Sequence, residues 1–195
     1  MEEDAKIIVS ITNYEERQER KDVITTTSGN RISRAAFLCG PQNIRLHGQT
    51  LVKDRATLRG DRAPISVGRF CVFGTRSVVR PAAVVLSGTS ASSTEIYAPL
   101  AIGDYVEFGD RCVVEARKIG SFVTIGDDAV IGSGCIVKDC CRILPGAVLP
   151  PGMVVPPFSQ VGGVPAQIDD SELPCDTAQI TEEACMHAFN RFTLT

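Results

Sequence analysis

The feature that most constrains this chain is an aliphatic residue at every sixth position through its second half. The period runs without a slip over Ile119, Ile125, Ile131, Val137, Ile143, Leu149, Val155 and Val161. A sustained six-residue period is typical of a parallel β-helix, whose short sides stack from coil to coil. We therefore predict an all-β fold, a left-handed parallel β-helix of about six triangular coils, with these aliphatic anchors inside the prism.

Upstream the period is weaker, starting at Ile32, Leu38 and Ile44, and three spacings interrupt it. They are nine residues from Leu58 to Val67, twenty-three from Val79 to Ile102, and five from Val114 to Ile119. Insertions in repeat folds map to turns, so we predict loops or tightened corners on a continuing β-helix. The longest interruption, residues 81–100, contains a Ser-rich run and is interpreted as a flexible loop, with partner binding as the alternative.

Small residues recur at two fixed places after the anchors. Glycine directly follows many of them, as at Gly74 and Gly120, and because glycine tolerates positive φ we expect it to form the tight corners. Four positions after an anchor, four of the eight cysteines replace Ala, Ser or Thr: Cys71, Cys112, Cys135 and Cys141. We expect these thiols to be small buried hydrophobes and not disulfides or zinc ligands. Of the adjacent Cys140 and Cys141, one is expected at the solvent.

The periodic region divides the chain into three parts. Residues 1–23 are predicted to be an N-terminal arm, in which residues 6–12 have the composition of a strand. Residues 24–168 form the β-helix with its loop at 81–100, and residues 169–195 form a linker and a helix. Asp176 is the expected N-cap of that helix, with Gln179 completing a capping box. Its apolar stripe is predicted to pack along one outer side of the prism: Ile180, Ala184, Cys185, Ala188, Phe189 and Phe192.

Composition excludes several classes of function. The net charge of −3 offers no clustered basic excess for nucleic acid. No apolar run reaches the length that crosses a bilayer, so we expect no membrane insertion. The acidic N-terminus lacks the layout of a signal peptide, so an intracellular location is expected.

Residues 44–166 resemble the γ-class carbonic anhydrases. The resemblance rests on Leu58-Arg59-Gly60-Asp61 followed by Ile65-Ser66-Val67-Gly68. Enzymes with this fold are mostly γ-class anhydrases, which bind zinc through three histidines, and acyltransferases, which use a histidine as general base. Only two histidines are present, His47 and His187, and both lie outside the central coils.

The positions that hold the zinc ligands in the γ-class fall on Arg80, Asp110 and Glu115. A guanidinium cation repels zinc, and two carboxylates alone are a weak zinc site. We therefore expect no metal, no cofactor and no enzymatic activity. Arg59 and Asp61 keep the residue types of the family, and we expect them to form an ion pair or hydrogen bonds between coils.

A second resemblance covers nearly the whole chain. Residues 33–43 (SRAAFLCGPQN), 76–81 (RSVVRP), 137–141 (VKDCC), 149–158 (LPPGMVVPPF) and 171–174 (SELP) are similar to the dynactin subunit 5 family. The resemblance implies a non-catalytic structural and adaptor subunit of the dynactin pointed-end complex. That complex caps the pointed end of the short filament and helps dynein select cargo such as endosomes.

The same resemblance implies the partners and the location of the chain. The partners would be the β-helical subunit 6, an actin-related protein, the larger zinc-binding subunit and dynein cargo adaptors, with the chain in the cytoplasm on the microtubule cytoskeleton. Two alternatives stay open at this point. One is a γ-type anhydrase-like protein and the other an acyltransferase-like one, each a homotrimer of hexapeptide repeats.

Overall fold

The computed structural model describes residues 23–85 and 95–191. The predicted arm, apart from its last residue, and the Ser-rich run of the 81–100 segment lie outside the described residues, as does Phe192. The described chain enters through strand β1 (Val23–Thr25), which pairs antiparallel with the strand after it. From there the chain winds through six coils.

Each coil contains three short strands, one for each side of the prism. The strands of coils 1 to 3 are β2 (Arg31–Ser33), β3 (Phe37–Cys39), β4 (Ile44–Leu46), β5 (Leu51–Val52), β6 (Thr57–Arg59), β7 (Ile65–Val67), β8 (Val72–Phe73) and β9 (Val78–Val79), then the hairpin β10 (Ala83–Val85) and β11 (Glu95–Tyr97), and β12 (Leu100–Ile102). Those of coils 4 to 6 are β13 (Glu107–Phe108), β14 (Val113–Val114), β15 (Lys118–Ile119), β16 (Thr124–Ile125), β17 (Val130–Ile131), β18 (Ile136–Val137), β19 (Arg142–Ile143), β20 (Val148–Leu149) and β21 (Val154–Val155).

The chain ends its winding with β22 (Ser159–Gly162), and β23 (Gln167–Glu172) folds back antiparallel on it. The only α-helix in the described chain, α1 (Thr177–Arg191), follows. The predicted boundaries at 23/24 and 168/169 stay a prediction.

Stacking of the coils produces three sheets, which we name face A, face B and face C. Face A has the strand order β1-β2-β5-β8-β13-β16-β19-β22-β23, face B has β3-β6-β9-β14-β17-β20, and face C has β4-β7-β12-β15-β18-β21. Neighbouring coils pair in parallel and in register, so that Ile125 lies beside Ile143 and Ile131 beside Leu149. The predicted fold class of stacked coils with a C-terminal helix is confirmed.

Inward side chains fill the prism with a continuous apolar column. The eight anchors of the unbroken period are 0 to 1% exposed. Phe73 and Phe108 stack inside the column with ring centroids 4.6 Å apart. Each coil alone buries little, so the column holds together through contacts between successive coils.

The interruptions of the period all lie at one edge, the corner between face B and face C. Coil 1 has the 3-10 helix Pro41–Asn43 there, and coil 2 has the nine-residue spacing. Coil 3 has the longest segment and coil 4 the five-residue corner. The prediction of insertions on a continuing helix is confirmed, but a loop over all of residues 81–100 is wrong. Ala83–Val85 and Glu95–Tyr97 pair antiparallel, so both ends of the segment are strands.

The expectation that the glycines after the anchors form tight corners through positive φ is wrong. Gly74 and Gly120 do not have positive φ; the left-handed backbone lies two residues later, at Arg76 (φ 58°) and Phe122 (φ 59°). The reason for glycine is the next coil. A Cβ on Gly74 would lie 2.4 Å from the carbonyl carbon and oxygen of Gly109. Glycine is therefore required by close approach of backbones and not by its conformational freedom.

Helix α1 packs against the outer surface of face A, as predicted, but only part of the predicted stripe makes the contact: Cys185 and Phe189 are buried and Ala188 is half-buried. Its buried residues are Thr177, Thr181, Cys185 and Phe189, at steps of four. Ile180 is 49% exposed and Ala184 is also exposed. The helix begins at Thr177, next to the expected cap, but Gln179 donates its side-chain amide to Glu183 one turn later (2.9 Å). The prediction missed Thr177 and Thr181, which supply half of the buried face, because it considered hydrophobic residues alone.

The expectation for the adjacent cysteines is also wrong. Cys140 is 6% exposed and Cys141 1%, so both are buried. Cys140 has a left-handed backbone (φ 57°), as other residues at its place in the coil do. Its side chain is covered at the corner while that of Cys141 lies inside the prism, where its thiol bonds the Pro156 carbonyl (2.9 Å).

Candidate functional site

Two of the three positions that the γ-class resemblance assigns to zinc ligands meet at the corner between face B and face C. Arg80 lies on coil 3 and Glu115 directly below it on coil 4. The Arg80 Nε–H donates to Glu115 Oε1 at 2.9 Å, and the terminal nitrogen of the same guanidinium also contacts that oxygen. A guanidinium has only donors and cannot ligate a metal. The pair therefore ties two coils together at this corner.

The third position, Asp110, lies at a different corner, between face A and face B. Its carboxylate accepts the backbone N–H of Thr75 on the coil before (2.7 Å), and its own N–H donates to Asp127 on the coil after (2.7 Å). Asp110 thus acts as a bracket between coils. Within residues 23–85 and 95–191, no group of three or more His, Cys, Asp or Glu side chains is arranged to hold a metal ion.

Arg59 and Asp61 form a two-bond ion pair, but within one coil. The Arg59 Nε–H donates to Asp61 Oδ1 (3.2 Å) and Arg59 Nη2 to Asp61 Oδ2 (2.6 Å). The hydrogen bond from Arg59 holds the pKa of the Asp61 carboxyl below its usual range. The expected ion pair is confirmed, but it does not join two coils, because the two residues flank Gly60 at the start of the same insertion.

The histidines lie apart from these residues. His47 is exposed, and its Nδ1 bonds the carbonyl of Val67 at 2.7 Å. It borders a shallow depression of about 440 Å³ on the corner between face C and face A, together with Ser66, Arg69 and Asp104. His187 is exposed on α1. Neither histidine lies beside Arg80, Asp110 or Glu115.

The buried thiols are poor nucleophiles. Burial raises the pKa of Cys71 to about 12 and that of Cys112 to about 12. The Cys71 thiol donates to the Gly103 carbonyl (3.2 Å) and the Cys135 thiol to that of Pro150 (3.1 Å). Only a thiolate is reactive, so these groups serve as small core residues.

The outer surfaces of the three faces differ in what covers them. On face A, the outward residues Leu51 and Val72 are buried, because Phe189 of α1 packs on them. Phe70, Tyr105 and Phe122 stack at the edge of this face, with ring centroids 5.2 and 5.3 Å apart. On face B the outward residues form a strip that is half-buried or exposed: Phe37, Thr57, Val78, Val113, Val130 and Val148.

Comparison with known proteins gives the family. A profile of the family described as "Dynactin subunit 5" matches residues 14–194. The chain belongs to the dynactin subunit 5 family. A family member from Dictyostelium discoideum is 39% identical over 103 residues, which cover 53% of this chain and 50% of that protein. The chain thus spans about half the length of the curated relative it matches.

Solved structures with a similar fold are hexapeptide-repeat proteins. A hexapeptide transferase family protein from Anaplasma phagocytophilum superposes with a TM-score of 0.56 at 18% identity, covering 89% of this chain and 96% of that one. The acetyltransferase domain of PglB from Neisseria gonorrhoeae FA1090 gives 0.56 at 16% identity, covering 73% and 58%. At this identity the likeness shows the left-handed β-helical fold alone.

In this dynactin subunit 5 family member, the Arg80–Glu115 pair involves one of the segments that carried the resemblance, residues 76–81. The outer strip of face B was not found from the sequence. Its members recur only once per coil, one residue before an anchor, and the irregular corners shift that count. No helix in the described part of the chain is long and apolar enough to cross a membrane.

Proposed function

We propose that this chain is a non-catalytic structural and adaptor-binding subunit of the dynactin pointed-end complex. In that role it supports capping of the filament pointed end and the targeting of dynein to cargo such as endosomes. Its partners there are subunit 6, the actin-related protein, the larger zinc-binding subunit and cargo adaptors. It acts in the cytoplasm on the microtubule cytoskeleton, without nucleic acid and without inserting into a membrane.

The observation that carries this proposal is the Arg80–Glu115 pair. It occupies two of the positions that the γ-class resemblance assigns to zinc ligands, and its cation and anion are satisfied by each other (2.9 Å). The carboxylate of the third residue, Asp110, accepts the backbone N–H of Thr75 on the coil before it (2.7 Å). The prism around them keeps its buried column and parallel register. A rigid body with flat sides and internally paired polar groups suits a scaffold.

The proposal is tested by reconstituting the pointed-end complex with and without this chain. We expect omission of the chain to remove at least one other subunit from the pointed end and to reduce recruitment to endosomes. Full composition and normal recruitment without the chain would contradict the proposal.

An enzymatic role is tested on the purified chain by two measurements. Zinc content is determined by mass spectrometry and CO₂ hydration by stopped-flow spectrophotometry. We expect metal far below one ion per chain and the uncatalysed rate. Stoichiometric zinc with hydration above background would establish the anhydrase alternative, and the matched Glu115→Gln variant would then show whether the carboxylate takes part.

A further inference from the structure

The outer strip of face B, which consists of Phe37, Thr57, Val78, Val113, Val130 and Val148, is a mostly apolar row that nothing in the described chain covers. One residue comes from each coil, and the registers place them in a straight row. At the strand spacing of about 4.8 Å the row is roughly 24 Å long. Phe37 at its end is 58% exposed. Contiguous apolar surface of this kind marks interaction sites.

A row of arginines borders this strip at the corner between face A and face B. Arg55, Arg76 and Arg111 occupy the same place on coils 2, 3 and 4, each with a left-handed backbone (φ 56°, 58° and 56°). Backbone bonds between coils fix their spacing, as Arg76 N–H donates to the Asp54 carbonyl (3.0 Å) and Arg111 N–H to that of Thr75 (2.9 Å). A groove of about 220 Å³ runs along the row.

The three arginines of this row differ in whether they form an ion pair. Arg111 forms a two-bond ion pair with Asp128, both bonds 2.7 Å long. Arg55 and Arg76 are exposed and form no ion pair with any residue that the structure describes. The guanidinium groups on coils 2 and 3 are therefore available to a partner, in a groove that the carboxylates of Asp54 and Asp110 also line.

A second copy of this chain is the first alternative occupant. Side by side and parallel, its nearest corner would be that between face B and face C, where Asp61 and Glu115 already bind arginines. Turned upside down, it would bring Asp128, which binds Arg111, and Asp127, which is exposed and, among the described residues, accepts only the Asp110 amide. The chain belongs to a family of dynactin subunits, and this favours a different protein over a second copy as the occupant.

We propose that face B is the surface on which a different protein docks, through an apolar strip bordered by Asp or Glu side chains that pair with Arg55 and Arg76. The inference rests on the proposed function, since it assigns the face by which this chain joins its complex. Apolar contact along the valines supplies affinity, and the arginines direct the encounter and set the register of the two proteins.

The test is assembly of the full chain with the other pointed-end subunits, followed by pull-down and by association kinetics at two salt concentrations. Arg55→Glu/Arg76→Glu is expected to slow association roughly tenfold at low salt and to weaken the salt dependence. The matched control is Arg45→Glu/Lys118→Glu, which makes the same change of charge on exposed residues of face C. The control is expected to assemble as the wild type does.

The apolar strip is tested with Val113→Glu/Val130→Glu, which should lower affinity by roughly tenfold or more. Because glutamate could weaken the strands, Val113→Ala/Val130→Ala serves as a second variant, and circular dichroism checks the fold of both. If the wild type assembles and both face B pairs assemble equally well, the docking face is wrong while the proposed function stands. If the wild type itself does not assemble, the proposed function fails.

Two other occupants of face B would overturn the proposal. Sedimentation of the isolated chain would detect a homodimer, and its loss in Val113→Glu/Val130→Glu would assign face B to a second copy. A photo-crosslinker at Val113 in the isolated chain would report residues 1–22 of the same chain as an intrachain product. We expect a monomer and no intrachain crosslink to that segment.

Discussion

Face A and face B are built from similar short strands of the same six coils. Helix α1 covers face A, and nothing in the described chain covers face B. Leu51 and Val72 on face A are equivalent in position to Val78 and Val113 on face B, each one residue before an anchor. The first two are 0 and 2% exposed because Phe189 packs on them. Burial at these positions therefore reports what lies on the face, not the coil itself.

The polar side chains on and beside the two faces differ in the same way. At face A, the Arg31 guanidinium lies 3.8 Å from the centre of the Phe189 ring and donates to the Phe189 carbonyl. Burial and a hydrogen bond to Glu182 of α1 raise the pKa of Tyr105. At face B, Arg55 and Arg76 are exposed beside the strip. Helix α1 shows how an outward apolar row of this prism can be buried. Face B has a similar row, and nothing in the described chain covers it.

The largest effect is expected where the two faces join, because a change there disturbs both. Gly74→Ala should lower the free energy of unfolding by about 3 kcal/mol, since the new Cβ would meet the backbone of Gly109 at 2.4 Å. The control at the same corner is Gly146→Ala. Gly146 has φ 69° with no atom within 4 Å of a Cβ, so we expect a loss of about 1 kcal/mol from backbone strain alone. Urea unfolding measures both, and equal losses would contradict steric contact between coils.

Truncation on the covered and bare faces should differ in cost. Phe189→Ala removes the ring that covers Leu51 and Val72, and we expect a loss of about 3 kcal/mol in the free energy of unfolding. Val113→Ala on the bare face should lose less than about 1 kcal/mol in the isolated chain. Thermal and urea unfolding of the two variants provide the measurement. A loss at Val113 as large as that at Phe189 would mean that face B is already covered.

Replacing an arginine beside each face tests whether that side chain contributes to the stability of the fold. Arg31→Ala removes the contact with the Phe189 ring and a hydrogen bond to its carbonyl, and should lower the free energy of unfolding by about 1 kcal/mol. Arg55→Ala should change it by less than about 0.5 kcal/mol, because the side chain is exposed. If Arg55→Ala destabilised the isolated chain as much as Arg31→Ala does, the arginine row would be structural.

The smallest effect is expected at the Arg111–Asp128 ion pair, which lies at the corner between face A and face B. The hydrogen bond from Arg111 holds the pKa of the Asp128 carboxyl below its usual range. A lowered pKa in the folded state stabilises the fold above the ordinary carboxyl pKa of about 3.9, and that contribution disappears as the pH falls through the lowered value. Asp128→Asn should therefore lower the Tm slightly at pH 7 and not at about pH 2. A difference in Tm that persists in acid would assign the effect to something other than the charge.

The sequence predicted the coils and their core well because both depend on local pattern. Ile119 to Val161 recur every six residues, and each side chain points inward whatever the rest of the chain does. The prediction from sequence failed where a residue type is required by contacts with the next coil. Gly74 and Gly120 follow anchors as expected, but the structure requires them because of backbone atoms of Gly109 and Asp139.

The candidate site shows the same limit. The sequence predicted that Arg80, Asp110 and Glu115 replace metal ligands, but it could not tell which of the three side chains meet. Arg80 and Glu115 are 35 residues apart, and the hairpin segment lies between them. Their contact depends on that segment leaving and rejoining the prism at one corner. Asp110 lies close in sequence to Glu115 yet belongs to another corner.

By itself the sequence determined the six-residue winding and the buried column, because a repeated local pattern decides which side chains face inward. It also determined membership of a known family, because the family's segments can be matched along the chain. Only the tertiary structure decided which outer face is covered, which carboxylates are already paired, and which arginines are left without an ion pair among the described residues. Those properties depend on residues brought together from neighbouring coils and from the C-terminal helix, and spacing along the chain does not specify them.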